Sequence, residues 1–404
     1  MLDTLFIKSQ GFINTNNLPY KRYFISQNDF KHRLSILLGA RGIGKSTTLA
    51  QYIAMNYQAN EALYVSLDDV RLKYGIINIA EELVSMGGKL LCLDEIHKYE
   101  NWAAELKNIY DFIPDLKVIA TGSAAIQIHK QSHDLSRRMI VYNMFGMSFR
   151  EFLELSLKQS LNTLTLESIL DNHTQLAQEI NSQVKPILKY FKDYLSFGYY
   201  PYYIQMPQDL FSITLNQQIN ATIESDLLSI YPKLSGVSIR KIKQLLGVIM
   251  QSVPFIPNIT KLKEAIKIAD DRTLKEYLYM LDSAGIITLL MADPSKLKNI
   301  DKPEKIYIAN PNLMQTKEAD IGSIRECFFV NQLGNYYAIQ NKGNGIYASK
   351  NGDFICEDNY TFEIGGKNKD FSQIQNKQYS FLALDDLPIG YGNKIPLWLF
   401  GFLY

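Results

Sequence analysis

Between residues 34 and 150 the chain alternates short, unbroken apolar runs with amphipathic stretches. That is the pattern of a parallel sheet whose strands are covered on both faces by helices. The runs are LSILL (34–38), ALYVSL (62–67), KLLCLD (89–94), LKVIA (116–120) and MIVYNMF (139–145). From about 146 to 295 the apolar spacing becomes helical, in segments such as SFREFLELSL and LNQQINATIESDLLSI. From about 305 short strand-like runs return, broken by the turn signals NKGNG, KNGD and GGKNK. The pattern predicts an α/β domain over 1–150, a helical region over 151–295 and an α/β C-terminal domain over 296–404. The apolar tail IPLWLFGFLY is about half the length of a bilayer span and is expected to form a last strand packed into the C-terminal domain.

The first run leads directly into GARGIGKST, which matches the phosphate-loop spacing at Gly39, Gly44, Lys45 and Ser46. Gly39, Gly42 and Gly44 let the backbone turn tightly, so that the N–H groups of Gly39, Ala40, Arg41, Gly42, Ile43, Gly44, Lys45, Ser46 and Thr47 can face phosphate oxygens. Lys45 would neutralise the β- and γ-phosphates, and Ser46 would offer a hydroxyl to Mg²⁺. The helix that opens at KSTTLAQYIAM points its positive dipole end at the same place.

Further on, the run LLCLDEIHK ends in Asp94 and Glu95, which a buried strand would deliver to the sheet edge where such folds bind ligands. Asp94 is expected to hold Mg²⁺ through water, and Glu95 to act as general base on the attacking water. The next run ends in TGSAA, where Thr121 or Ser123 would either sit near the γ-phosphate or cap a helix. Arg137 and Arg138 are candidates for stabilising transition-state charge, in their own subunit or a neighbour's, the alternative being a salt-bridged surface pair. His97, beside Glu95, reads as a structural or coupling residue.

Composition adds little to this picture. The 404 residues are 47% hydrophobic and 21% charged, with a net charge of +1, so no whole-chain field favours nucleic acid or membrane. Cys92, Cys327 and Cys356 form no CxxC pair and read as reduced, buried residues. The N-terminus lacks the basic region of a signal peptide. A cytoplasmic location with no membrane partner is expected.

Taken together, GARGIGKSTTLAQY, LCLDEIHKYENWAAELKNIYD, KVIATGSAA, DLSRRMIVYNMFGMSFREFL, FGYYPYYI and IGSIRECFFVNQL resemble the bacterial and archaeal AAA-like ATPases that carry a C-terminal restriction-endonuclease-like domain of unknown function. The resemblance implies an ASCE-type P-loop sheet, with an added strand between those bearing the phosphate loop and Asp94. It also implies a winged-helix segment in the middle, about 236–292, and a nuclease-like end. NITKLKEAIKIADDRTLKEYLYMLDSAGIITLL reads as that segment, with helices over 259–269 and 272–283 and a turn at Asp270–Asp271. In the last domain Glu326, Asp353 and Glu363 stand where the family's acidic residues would. Gly365 occupies the lysine position of Glu-x-Lys, and Lys367 comes two residues late, about 6.5–7 Å along a strand. The expected domain is therefore a degenerate, non-cleaving one, whose lysine could return only through a glycine bulge.

The expected function is ATP binding and Mg²⁺-dependent hydrolysis that drives a conformational switch between the ATPase and C-terminal domains. An ATP-gated DNA-binding or DNA-cleaving protein is the alternative. ATP is the expected ligand, DNA a second candidate partner, and a further copy of the chain or another protein a third.

Overall fold

Four of the five strands of the first α/β layer are buried on both faces, and this fixes the architecture of the N-terminal part. In the computed structural model, which describes residues 2–72, 74–125, 135, 137–292, 303–315, 319–343, 345–356, 359–375 and 377–404, that part runs in the following order. Helices α1 (Leu2–Asn16) and α2 (Tyr23–Gln27) precede β1 (Leu34–Gly39), α3 (Lys45–Asn56) and β2 (Ala62–Ser66). Then come α4 (Ile76–Ser85), β3 (Leu90–Asp94), α5 (Trp102–Phe112), β4 (Lys117–Ser123) and β5 (Ile140–Asn143). The strands pair in parallel in the order β2-β3-β4-β1-β5, so β4 lies between β1 and β3 as an ASCE sheet requires. Every residue of β1 and β3 is buried, which accounts for their unbroken apolar runs. Helix α4 turns Ile76, Ile79, Ala80 and Leu83 inward, and α5 turns in Trp102, Ala103, Leu106 and Ile109.

The sequence pattern left α1 unassigned. It covers β2, an edge strand, where the Phe12 ring stacks on Tyr64 at 3.9 Å and the Ser9 hydroxyl accepts the Tyr64 N–H at 2.9 Å. An exposed edge of unpaired backbone is an aggregation liability, and a docked helix removes it.

The chain divides into two compact units: Met1–Phe145 with Asn220–Ser235, and Gly146–Ile219 with Gly236–Tyr404. The second unit opens with α6 (Phe149–Leu157), α7 (Leu166–Gln183), α8 (Ile187–Asp193) and α9 (Gln208–Ala221). A π-helical turn, Thr222–Asp226, and α10 (Leu227–Ile230) continue from α9 and belong to the first unit. Then follow α11 (Gly236–Ile249), α12 (Ile259–Ile266), α13 (Asp271–Ser283) and an antiparallel pair, β6 (Ile287–Leu290) with β7 (Lys305–Ile308). Helix α12 stops three residues earlier than its pattern predicted, because Lys267 takes a left-handed conformation, φ 53°. Asp270 does not turn the chain but caps α13, accepting the Arg272 N–H at 3.1 Å.

Last come α14 (Pro311–Met314), α15 (Ile321–Ile339) and a mixed sheet in the order β12-β11-β10-β9-β8. Its strands are β8 (Ile346–Ala348), β9 (Phe354–Cys356), β10 (Thr361–Gly366), β11 (Ser380–Asp385) and β12 (Lys394–Pro396). The tail departs from its expected strand. Only Lys394–Pro396 pairs, and Leu397–Phe402 winds into a buried 3-10 turn. A turn lets Leu397, Trp398, Leu399, Phe400 and Phe402 all bury at once, whereas a strand edge would send alternate side chains outward.

Two polar features hold the second unit together. A π-helical turn at Tyr194–Gly198 loosens the local backbone ladder, and Asn312, fully buried, donates to the Tyr194 and Leu195 carbonyls at 2.9 and 3.0 Å. Its oxygen accepts the Tyr199 N–H at 2.7 Å. Asp282, near the end of α13, accepts the Leu289 N–H at 2.9 Å, and burial raises its pKa from 3.8 to about 6.

Because the folded-state pKa of Asp282 lies above the unfolded one, its contribution is fully present below about pH 4 and is lost as pH rises through about 6. Asp282→Asn keeps the acceptor and removes the charge. Urea denaturation should show the variant more stable than the parent by about 3 kcal/mol at pH 7.5, with no difference at pH 3. A gap of the same size at both pH values would contradict this account.

Candidate nucleotide site

The loop after β1 is shaped by its glycines. Gly42 and Gly44 have φ of 81° and 98°, a region costly for any residue with a Cβ. A Cβ on Gly39 would meet the Met144 carbonyl at 2.4 Å. Helix α3 starts at Lys45 with no side-chain cap, so its first N–H groups face into the loop. Ser46 and Thr47 lie half-buried in its first turn. Arg22 braces the loop from outside, donating to the Ile43 and Phe145 carbonyls at 2.7 and 2.9 Å.

Lys45 is buried and donates to the Gly39 and Ala40 carbonyls at 2.9 and 3.0 Å, folded back on its own loop. Burial lowers its pKa, while Glu95, Asp94 and Asp226 pull in the other direction.

Asp94 ends β3 and is 4% exposed. Thr121 donates to its Oδ1, and the Tyr64 hydroxyl donates to its Oδ2 at 2.6 Å. Burial and then Asp94 itself push the Tyr64 hydroxyl far above its ordinary pKa, which keeps it a donor. Glu95 follows in the left-handed region, φ 58° and ψ 47°, and its N–H donates to Thr121 Oγ1 at 3.2 Å. One hydroxyl therefore positions both acids. Ser123 is buried beside Gly39, its partner in the β1–β4 register.

A third carboxylate enters from far along the chain. Asp226 Oδ1 lies 3.5 Å from Arg41 of the loop, 3.4 Å from Lys98 and 3.7 Å from His97 Nε2. His97 Nε2 lies 3.3 Å from Glu95 Oε2. Sequence reasoning missed Asp226 and Tyr64. Neither has a motif around it, and Asp226 sits within a run that reads simply as amphipathic helix.

The arginine pair departs from its catalytic expectation within one subunit. Ile140, the first residue of β5, is level with Ser35 on β1, four residues or about 13 Å before Gly39. Arg137 and Arg138 precede even that point, at the sheet edge opposite the loop. Arg138 is bound to Asp111 of α5 through two hydrogen bonds of 2.8 and 3.0 Å, and Arg137 is exposed.

The second unit gathers the expected acids, with different lysines. Lys305 Nζ lies 3.8 Å from Glu326 and 3.9 Å from Asp353. Glu326 accepts from the Tyr307 hydroxyl at 2.5 Å, and Asp353 accepts the Ile364 N–H at 2.8 Å. Lys367 is exposed, and Lys369 pairs with buried Glu363 at 2.5 Å. No bulge brings the lysine back, since Gly365 and Gly366 stay in regular register with β11. Instead the Lys369 stem runs over Gly365, where any Cβ would meet it at 2.8 Å. Burial raises the pKa of Glu326 and Glu363, Asp353 adding to both and the lysines opposing. Among the described residues no group of His, Cys, Asp and Glu has the geometry to hold a metal ion.

A family model described as an AAA domain matches residues 31–153, and one described as a domain of unknown function (DUF8612) matches residues 188–319. An uncharacterized protein of Methanocaldococcus jannaschii is 33% identical over 198 residues, 44% of this chain, which spans 40% of that relative's length. Among solved structures, the Aeropyrum pernix ORC1 protein in complex with DNA is 11% identical, with a TM-score of 0.30, over 73% of this chain and 86% of that one. AMPPCP-bound DnaA from Aquifex aeolicus is 14% identical, with a TM-score of 0.24, over 64% and 84%. The parallel five-stranded sheet and the AAA match make the N-terminal unit a P-loop, AAA-like α/β fold. Among the described residues no helix is long and apolar enough to cross a membrane.

Thr121→Val keeps the shape of the side chain and removes both its donor and its acceptor. It should cost the first unit about 1–3 kcal/mol in denaturant unfolding, with Thr121→Ser retaining most of the stability. Indistinguishable midpoints for all three proteins would mean that this hydroxyl holds neither acid.

Proposed function

We propose that the first unit binds ATP and hydrolyses it. The observation that carries this reading is the convergence of the glycine loop, Lys45 and the Asp94–Glu95 pair at one end of a parallel sheet. Lys45 leaves the Gly39 and Ala40 carbonyls to meet the phosphates, which replace two neutral acceptors with charged ones. Ser46 and Asp94 would hold Mg²⁺. Both are hard oxygen donors, and each Asp94 oxygen keeps a lone pair beyond the bond it accepts from Thr121 or Tyr64. The ion supplies charge neutralisation on the phosphate oxygens. Glu95 takes the proton of the attacking water, and its left-handed backbone turns the side chain out of the strand line toward the loop. Ser123, beside Gly39, supports a role in sensing the γ-phosphate. Arg137 and Arg138 retain a role only if they reach a neighbouring subunit's site. Hydrolysis is read as driving a switch felt by the second unit, whose winged-helix reading is supported by the succession of α11, α12, α13 and the β6–β7 pair.

Lys45→Ala should abolish binding of a fluorescent ATP analogue. Glu95→Gln should bind it normally and turn over about 10²–10⁴-fold more slowly. Full turnover in Glu95→Gln would place the base elsewhere.

A second reading, ATP-gated DNA cleavage, is favoured by one observation, the Lys369 ammonium at Glu363. Against it, Lys305 and Lys369 already compensate much of the charge of Glu326, Asp353 and Glu363. We therefore expect no Mg²⁺- or Mn²⁺-dependent cutting of single- or double-stranded DNA, with or without ATP. Cutting that Lys369→Ala abolishes and Lys367→Ala spares would establish the second reading.

A further inference from the structure

His97 is the unusual group of the first unit. Its side chain is 1% exposed, and among the described residues neither ring nitrogen makes a hydrogen bond of good geometry. A buried polar group left in that state costs on the order of 1–3 kcal/mol, so packing alone does not account for a histidine here. Its Nε2 stands between two carboxylates, 3.3 Å from Glu95 and 3.7 Å from Asp226. One N–H can serve one of them fully or both poorly. The structure has it serving both poorly.

We propose that Asp226 is a positioning residue for the ATPase reaction, holding His97 from Glu95 so that Glu95 is free to act as base. The inference rests on the ATPase reading of the site. Asp226 is well fixed for this task. Burial raises its pKa, but His97, Arg41 and Lys98 outweigh burial and keep it ionised. Lys98 also donates to Ser225 Oγ at 2.7 Å, pinning the π-helical turn that carries Asp226. The turn and α10 pack with the first unit, but α9 and α11 on either side continue into the second. Displacement of Asn220–Ser235 through those helices removes Asp226 and leaves Glu95, among the described residues, as the carboxylate beside His97. The imidazole N–H then bonds Glu95 fully, which stabilises the ionised carboxylate, lowers its basicity toward the proton of water and slows hydrolysis. The segment thus gives the second unit a covalent route to the reaction, acting on turnover rather than on nucleotide capture.

The test is steady-state MgATP hydrolysis by the full chain, with binding of a fluorescent ATP analogue measured alongside. Asp226→Ala should lower kcat about tenfold, a fraction of what a general base contributes, and leave KM nearly unchanged. Asp226→Glu should recover most of the loss. The double variant His97→Ala/Asp226→Ala should return to the level of His97→Ala, because the loss requires the imidazole. A double variant as slow as Asp226→Ala, or an Asp226→Ala enzyme with parental kcat, overturns the proposal. If Asp226→Ala does not fold, Asp226→Asn, which keeps the size and loses the charge, carries the same comparison. A parent protein that binds the analogue but never hydrolyses ATP would defeat the ATPase reading, a result distinct from either of these.

Discussion

A carboxylate at the end of a fully buried strand is costly to fold, and the first unit is organised around making Asp94 affordable. Removing an ion from water demands compensation from hydrogen bonds within reach. Here they come from Tyr64 on one neighbouring strand and Thr121 on the other. That arrangement exists only because β3 lies between β2 and β4. The strand order and the chemistry are thus one constraint. Moving β4 to the sheet edge would remove the hydroxyl from Asp94, and with it the anchor of the Glu95 N–H.

The dependence extends outward. Tyr64 reaches Asp94 from an edge strand, and a tyrosine there must be held flat against the sheet. Helix α1 does this through the Phe12 ring and Ser9. A helix with no chemistry of its own therefore supports the acid through Tyr64. The loop after β1 follows similar logic. Lys45, buried among carboxylates that favour its charge and an environment that opposes it, satisfies its donors on its own loop.

The second unit solves an analogous problem differently. Glu326, Asp353 and Glu363 come together from a helix, the approach to a strand and a strand, and internal ammonium groups compensate them. The glycine at 365 looked like a lost lysine. It is instead the clearance that lets the Lys369 stem cross the strand. Asn312 performs a comparable service, closing carbonyls that a π-helical turn opens.

Much of this was legible in the sequence where the controlling forces are local or periodic. Four strands, β1 to β4, announced themselves as unbroken apolar runs because a strand covered on both faces admits no polar alternation, whereas β5 carries such a run although it is largely exposed. The phosphate loop was legible because its backbone demands glycine at fixed spacing, and Asp94–Glu95 because the end of a buried run marks the sheet's ligand-binding edge. What the sequence could not fix were contacts between residues distant along the chain. Tyr64, Asp226, Lys305 and Lys369 carry no motif, and any of several tyrosines or lysines would have suited the same local pattern. Arg137 and Arg138 looked catalytic by position in the chain. The run at 139–145 already put them before their strand, and only its parallel pairing with β1 revealed that this is the end away from the loop. Periodicity specifies which face a residue takes. Which neighbour it then meets is decided by how strands order and helices dock, and that depends on the burial of the whole chain at once.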